Sequence, residues 1–214
     1  MNAVPKSLFG LGANLMTTRA ARRLRAKGTA VPEQNRVFQD RLADLAETDF
    51  GDDHGLEANL NYTEFQKRIA PRRYEDFIPY LRRMRVGEED VLAPGACKFY
   101  AISSGTTAGR TKYLPITDGM LEHFRRAGVD SLLYYTARIG HAGVFRGRHL
   151  FLGGSTTLTA LEGFKGGPAY AGDLSGITAL NLPGWAEKHL YEPGRDIAQM
   201  ADWPAKIAAI VERT

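Results

Sequence analysis

Ser103-Ser104-Gly105-Thr106-Thr107-Ala108-Gly109-Arg110-Thr111-Lys112 is the segment of this chain richest in chemistry-bearing residues. The hydroxyls of Ser103, Ser104, Thr106 and Thr107 are hydrogen-bond donors. Gly105 and Gly109 let successive backbone N–H groups turn inward without a Cβ in the way, and Lys112 adds a full positive charge. Between Ser103 and Lys112 there is no carboxylate. Such a donor set suits phosphate oxygens and does not suit a metal ion. The segment is not a Walker A loop, which needs lysine directly after its second glycine and a helix starting there. Here Arg110 and Thr111 intervene, and Pro115 opposes immediate helix formation. A polar turn rich in Ser, Gly and Thr is the commonplace alternative for so short a segment. Ten positions in order directly after a strand weigh against it.

The elements that must position this loop are legible around it. Lys98–Ile102 is a run of aromatic and β-branched residues that reads as a strand leading into the loop. After Pro115, Thr117 is a good N-cap for a helix over Asp118–Arg138, with Met120, Leu121, Phe124, Leu132 and Leu133 as its buried stripe. Upstream, Val37, Phe38, Leu42, Leu45 and Ala46 recur at helical spacing, and Phe50-Gly51-Asp52-Asp53 reads as the loop that ends that helix. Asn61 with Glu64 three residues on has the form of a capping box. Tyr74–Arg85 reads as a helix burying Phe77, Leu81 and Met84, with Pro79 kinking it or marking its start and Gly87 closing it. His149–Leu152 reads as a second strand, the glycine-rich stretch 153–184 as mostly loop, and Trp203-Pro204 as the start of a last helix through Val211. Strands alternating with helices indicate an α/β architecture.

Composition narrows the function classes. The chain has 214 residues, 43% hydrophobic and 24% charged, as expected of an ordinary globular protein. Arg19, Arg22, Arg23, Arg25 and Lys27 outweigh by themselves the net charge of +4. The basic character is therefore local, which argues against a nucleic-acid partner. Residues 1–32 read as a basic, poorly ordered arm, with a short basic helix at a membrane surface over Leu15–Leu24 as the alternative. No run has the length of a transmembrane span. The single cysteine, Cys97, excludes an internal disulfide framework and fits a reducing, cytoplasmic setting; it reads as a small buried residue.

Other candidates carry less. His54, His123, His141, His149 and His189 form no ligand spacing. Asp52-Asp53-His54 reads as a solvated turn, and Arg72-Arg73 and Arg82-Arg83 as solvated helix faces. Trp185 and Trp203 read as packing residues, with the lining of an apolar pocket as the alternative. Gly153-Gly154-Ser155-Thr156-Thr157 is a polar turn after a strand and is not taken as a site.

The loop resembles the first signature of acyl-adenylate-forming enzymes. Its surroundings resemble the auxin-responsive Gretchen Hagen family of acyl acid–amido synthetases, in its bacterial form. The resemblance also rests on Ala46-Glu47-Thr48-Asp49-Phe50-Gly51, Tyr74-Glu75-Asp76-Phe77 with Pro79-Tyr80, Gly87-Glu88, and Lys98-Phe99-Tyr100-Ala101. It continues through Lys112-Tyr113-Leu114-Pro115-Ile116-Thr117 and the stretch Ala201–Ile210. It spans about Gln34 to Thr214 and implies that 33–214 is the N-terminal part of the large domain of such an enzyme. The implied reaction activates a carboxylic acid with ATP and Mg²⁺ as acyl-AMP, then passes the acyl group to an amine or amino acid. The implied roles are phosphate binding for Ser103, Ser104, Gly105, Thr106, Thr107 and Gly109, and a catalytic phosphate cation for Lys112. Loss of one loop donor would cost ~2–4 kcal/mol of transition-state stabilisation, by analogy with other preorganised donors. Family members are longer, and their further nucleotide motifs and small C-terminal domain have no counterpart here. The chain alone is therefore expected to be inactive, with a missing C-terminal portion. Two alternatives stand: an acyl-CoA-ligase-like fragment, and a non-catalytic remnant that binds a phosphate ligand or a partner protein.

Overall fold

The computed structural model describes residues 6–26, 28–104, 111–165 and 167–213, with the side chains of 6–11, Ala13 and Ser104 left out of that description. The described elements in chain order begin with helices α1 (Lys6–Arg25), α2 (Ala30–Ala46), α3 (Asp49–Asp53), α4 (Tyr62–Arg68) and α5 (Tyr74–Arg85). Strands β1 (Phe99–Ser104) and β2 (Thr111–Ile116) follow, then α6 (Asp118–Ile139), β3 (His149–Leu150), β4 (Thr159–Leu161) and β5 (Ala169–Gly172). The chain closes with α7 (Leu174–Leu180), α8 (Gly184–Leu190), β6 (Tyr191–Glu192), α9 (Arg195–Ala198) and α10 (Trp203–Arg213). The α/β class expected from the sequence is the class observed. Among the described residues, no helix is long and apolar enough to cross a membrane.

The chain divides into two compact units. One, the sheet unit, comprises Gly28–Asp118 and Leu158–Leu174. Its four-stranded sheet has the order β2-β1-β5-β4. Strand β1 pairs antiparallel with β2 and parallel with β5. The helices are shaped by local signals. Asn61 accepts from the Glu64 N–H while the Glu64 carboxylate accepts from the Asn61 N–H, each at 3.0 Å, so the capping box forms as expected. Helix α5 has the expected bounds, runs through Pro79, and closes at Gly87, whose φ of 89° only glycine adopts freely. Its buried face, Leu81 and Met84, joins Val91, Cys97, Tyr100 and Ala171 in one core cluster. A second cluster gathers Leu42, Phe50, Leu56 and Leu60.

Two expectations for this unit are corrected. Phe50-Gly51-Asp52-Asp53 is not loop but most of α3. Thr48 caps it by accepting from the Gly51 N–H at 3.2 Å, and Phe50 and Gly51 are buried. At Gly51 a Cβ would lie 2.3 Å from the Leu45 carbonyl oxygen, so only glycine fits the approach of α3 to the end of α2. The loop segment is also shorter than its sequence suggests. Ser103 and Ser104 end β1, while Thr111 and Lys112 open β2.

The other unit, the helical unit, comprises Met1–Lys27, Gly119–Thr157 and Ser175–Thr214. Where the sequence reads as a loose arm, Lys6–Arg25 forms α1, with Ala20 buried and the Thr17 hydroxyl 2.8 Å from that of Thr136 on α6. The strand expected over His149–Leu152 is β3, His149–Leu150, paired parallel with β6. The stretch 153–184, expected as mostly loop, contains β4, β5 and α7. After β3, the segment 153–157 is clamped from several sides. The Gly154 N–H donates to Ser175 Oγ at 2.8 Å, the Thr156 N–H donates to the Ala198 carbonyl at 3.2 Å, and Ser155 Oγ donates to the Gln199 carbonyl at 2.8 Å. The chain passes so close to α7 that a Cβ on Gly176 would lie 2.1 Å from the Ser155 carbonyl oxygen.

Candidate functional site

Strands β1 and β2 make a hairpin whose ends bracket residues 105–110. Of the sequence-derived site residues, Gly105, Thr106, Thr107 and Gly109 lie outside the described residues. Ser103, Ser104 and Lys112 fall on the strands. The register pairs Ser103 with Lys112 and Ser104 with Thr111. Directly opposed residues of an antiparallel pair project from the same face. The hydroxyl of Ser103 and the ammonium of Lys112, nine positions apart in sequence, therefore belong to one side of one hairpin.

Helix α5 holds the free edge of β2. The Tyr113 N–H donates to the Tyr74 hydroxyl at 2.9 Å, so the phenol takes a ladder group that an edge strand would otherwise leave open. The Arg85 guanidinium lies 4.1 Å from the centre of the Tyr113 ring. Lys112 Nζ stands 5.1 Å from the Tyr74 ring and 3.8 Å from Glu75 Oε1. Its side chain is 37% exposed and that of Glu75 62%. An ion pair so long and so wet is weak. The ammonium thus keeps hydrogen-bonding capacity for an incoming anion, while cation–π contact with Tyr74 orients it.

Glu75 is a neighbour of the candidate site that its loop sequence does not announce. The loop contains no carboxylate, yet the fold brings one beside its lysine. No local signal marks that pairing, because it depends on how α5 packs on an edge strand 37 positions further along the chain.

The other candidates resolve into structural contacts. His54 stacks on Phe50 with ring centres 4.2 Å apart, and its Nδ1 lies 2.8 Å from the Phe50 carbonyl. Asp53 accepts from the Tyr80 hydroxyl at 2.7 Å. Arg83 is not a free surface charge: it bonds Asp49 and Glu88, and holds the Glu88 carboxyl below its ordinary range. Arg72 lies over the Phe50 ring, 5.6 Å from its centre. Trp185 and Trp203 are about half exposed, at 53% and 49%. Cys97 is buried as expected, and burial pushes its thiol up to about 11. A thiol so strongly protonated at neutral pH is a poor nucleophile.

The donor set of the hairpin fits phosphate. A lysine with spare capacity and a serine on the same face offer a positive charge and a hydroxyl donor to an oxygen-rich anion. For a divalent cation the described residues offer less: among them no three His, Cys, Asp or Glu side chains converge. No ligand set for Mg²⁺ is assigned.

Residues 24–176 match the GH3 family N-terminal domain. The chain belongs to the GH3 family. The match begins ten residues before the start expected from the sequence resemblance and leaves nearly all of α1 outside it. Among curated GH3 relatives, the chain is 31% identical over 101 residues to indole-3-acetic acid-amido synthetase GH3.6 of Arabidopsis thaliana, covering 47% of this chain and 16% of that protein. It is 28% identical over 119 residues to the probable indole-3-acetic acid-amido synthetase GH3.2 of Oryza sativa subsp. japonica, covering 55% and 19%. Among solved structures, GH3.15 acyl acid amido synthetase superposes with a TM-score of 0.64 at 18% identity, over 97% of this chain and 34% of that one. AtGH3.15 acyl acid amido synthetase in complex with 2,4-DB gives 0.61 at 17%, over 91% and 32%. The fold is therefore that of the N-terminal part of a GH3 amido synthetase. This chain spans less than a fifth of the length of those two curated relatives and about a third of the solved ones.

Proposed function

We propose that this chain supplies the phosphate-handling part of an ATP-dependent acyl acid–amido synthetase. The carboxylate of an acid substrate attacks the α-phosphate of ATP, forming acyl-AMP and releasing pyrophosphate. The nitrogen of an amine or amino acid then attacks the acyl carbon, loses a proton, and expels AMP. In this reading Ser103, Ser104, Gly105, Thr106, Thr107 and Gly109 donate to the β- and γ-phosphates. Lys112 balances the charge that grows on pyrophosphate as it departs, a role of preorganised electrostatics rather than of proton transfer. The residues 33–214 belong, on the same reading, to the enzyme's large domain. A lone buried thiol is compatible with a cytoplasmic setting.

The observation that carries the reading is the register of the β1–β2 hairpin. It puts the lysine opposite the first serine of the loop, in a chain that belongs to the GH3 family. The relatives are amido synthetases, and they suggest the reaction class, an acid joined to an amine through an amide.

The test is equilibrium binding of ATP to the wild type and to Ser104→Ala/Lys112→Ala. Loss of a charged donor and a neutral one is expected to weaken binding by at least about tenfold, since hydrogen bonds to charged groups are worth ~1.5–3 kcal/mol. Equal affinity in the double variant sinks the assignment. Glu75→Gln sharpens it: removing the competing carboxylate should tighten ATP binding by about threefold, in keeping with the value of an exposed pair.

A further inference from the structure

The proposed ATP chemistry leaves α1 without a role, and the matched family domain begins only at residue 24. From Lys6 to Arg25 there is no aspartate or glutamate, while Lys6, Arg19, Arg22, Arg23 and Arg25 are basic. One side of the helix is seated in the helical unit through buried Ala20 and the Thr17–Thr136 hydroxyl contact. On the outward side, Leu15 (56% exposed) and Met16 (45%) precede Arg19, Arg22 and Arg23 at spacings of three to eight residues. That spacing aligns them in one stripe along the helix.

We infer that α1 is a peripheral docking surface for an anionic lipid bilayer. Charge complementarity selects a polyanionic partner, because these basic residues alone outweigh the net charge of +4. The apolar members of the stripe select the bilayer among polyanions. Leu15 and Met16 have no use on a phosphodiester backbone. At a lipid interface they enter the headgroup boundary while the long arginine stems keep their charges at phosphate level. A nucleic-acid surface would call instead for aromatic residues among the cations, and α1 has none beyond Phe9.

The test is co-sedimentation of the full chain with phosphatidylcholine vesicles, with and without about 30% phosphatidylserine, at physiological salt. Binding is expected only to the anionic vesicles. Arg19→Gln/Arg22→Gln/Arg23→Gln should reduce partitioning on the order of 100-fold, from about 1 kcal/mol per surface cation. Leu15→Ser/Met16→Ser should reduce it by roughly tenfold through lost apolar insertion. All five positions are exposed, and circular dichroism of each variant should match the wild type. Unchanged partitioning of the triple-arginine variant overturns the inference. So does an unchanged Leu15/Met16 variant, which would mean plain electrostatic adsorption, and so does tighter binding to duplex RNA than to the vesicles at the same salt. Failure of the ATP-binding test would leave these outcomes unaffected.

Discussion

In the sheet unit the fully buried Tyr100 sits among Leu81, Met84, Val91, Cys97 and Ala171. In the helical unit a side chain buried to 98%, Lys206, is a cation. Its Nζ donates to the carbonyls of Gly153 at 3.0 Å, Gly154 at 3.1 Å and Ala198 at 3.1 Å, with the Trp203 ring 5.3 Å away. The first arrangement is held by volume and contact, and its polar atoms are incidental. The second is held by directed hydrogen bonds to a backbone that no strand ladder satisfies. Segment 153–157 follows a two-residue strand and then crosses under α7, so its carbonyls need a donor from outside. A lysine reaching in from α10 supplies three bonds with one group. The two regions should consequently fail for different reasons: one to loss of bulk, the other to loss of charge at constant bulk.

The largest expected effect lies on the apolar side. Met84→Ala removes three heavy atoms from a site that is 1% exposed, and should destabilise by about 3 kcal/mol in urea unfolding, in the range of other buried large-to-small changes. Hydrogen exchange should quicken at the amides of β1. A loss under about 1 kcal/mol would show that the cluster collapses readily, and the contrast with the helical unit would fail. On the polar side, Lys206→Met keeps length and approximate volume. It deprives three carbonyls of a donor at ~1 kcal/mol or more each, and relieves part of that by removing a buried charge. A net loss of about 2 kcal/mol is expected, with faster exchange at the Gly154 and Thr156 amides. A neutral or stabilising result would mean that the desolvation penalty of Lys206 cancels its three bonds.

The same division separates what was legible in the sequence from what was not. The capping box at Asn61, the bounds of α5 and the starts of α6 and α10 were readable because their signals are local: a cap, a glycine, a helical apolar stripe. Strand β2 was not, because Pro115 argues against a strand. It is tolerated there because β2 is an edge, where a missing N–H breaks no central ladder. Strand β5 was hidden by its composition, Ala-Tyr-Ala-Gly, which has no β-branched residue. It is a strand because β1 and β4 flank it, not through propensity. Helix α3 is too short to show a period. As for the candidate site, the donor-rich composition of the loop was visible residue by residue, but the geometry of its flanking strands was not. The opposition of Ser103 and Lys112 is a fact of register, and the approach of Glu75 a fact of packing. Lys206 reads in the sequence as one more helix lysine.

The two smallest effects finish the comparison inside the sheet unit. Asn61→Ala removes an exposed cap with no part in the core, and should cost about 1 kcal/mol, confined to α4 and visible as lost helicity there. Tyr100→Phe should cost almost nothing. The Tyr100 hydroxyl is buried beside the Cys97 thiol without a hydrogen-bond partner among the described residues, and burial holds its proton far above the ordinary phenol range. Deleting an unpartnered buried hydroxyl removes a desolvation cost and leaves the ring contacts in place, so a change within about 0.5 kcal/mol of zero is expected, tending to stabilise. A loss of ~1 kcal/mol or more would mean that the phenol and the Cys97 thiol form a real bond. The core of the sheet unit would then share the directed chemistry of Lys206, and the distinction between the two units would be one of degree.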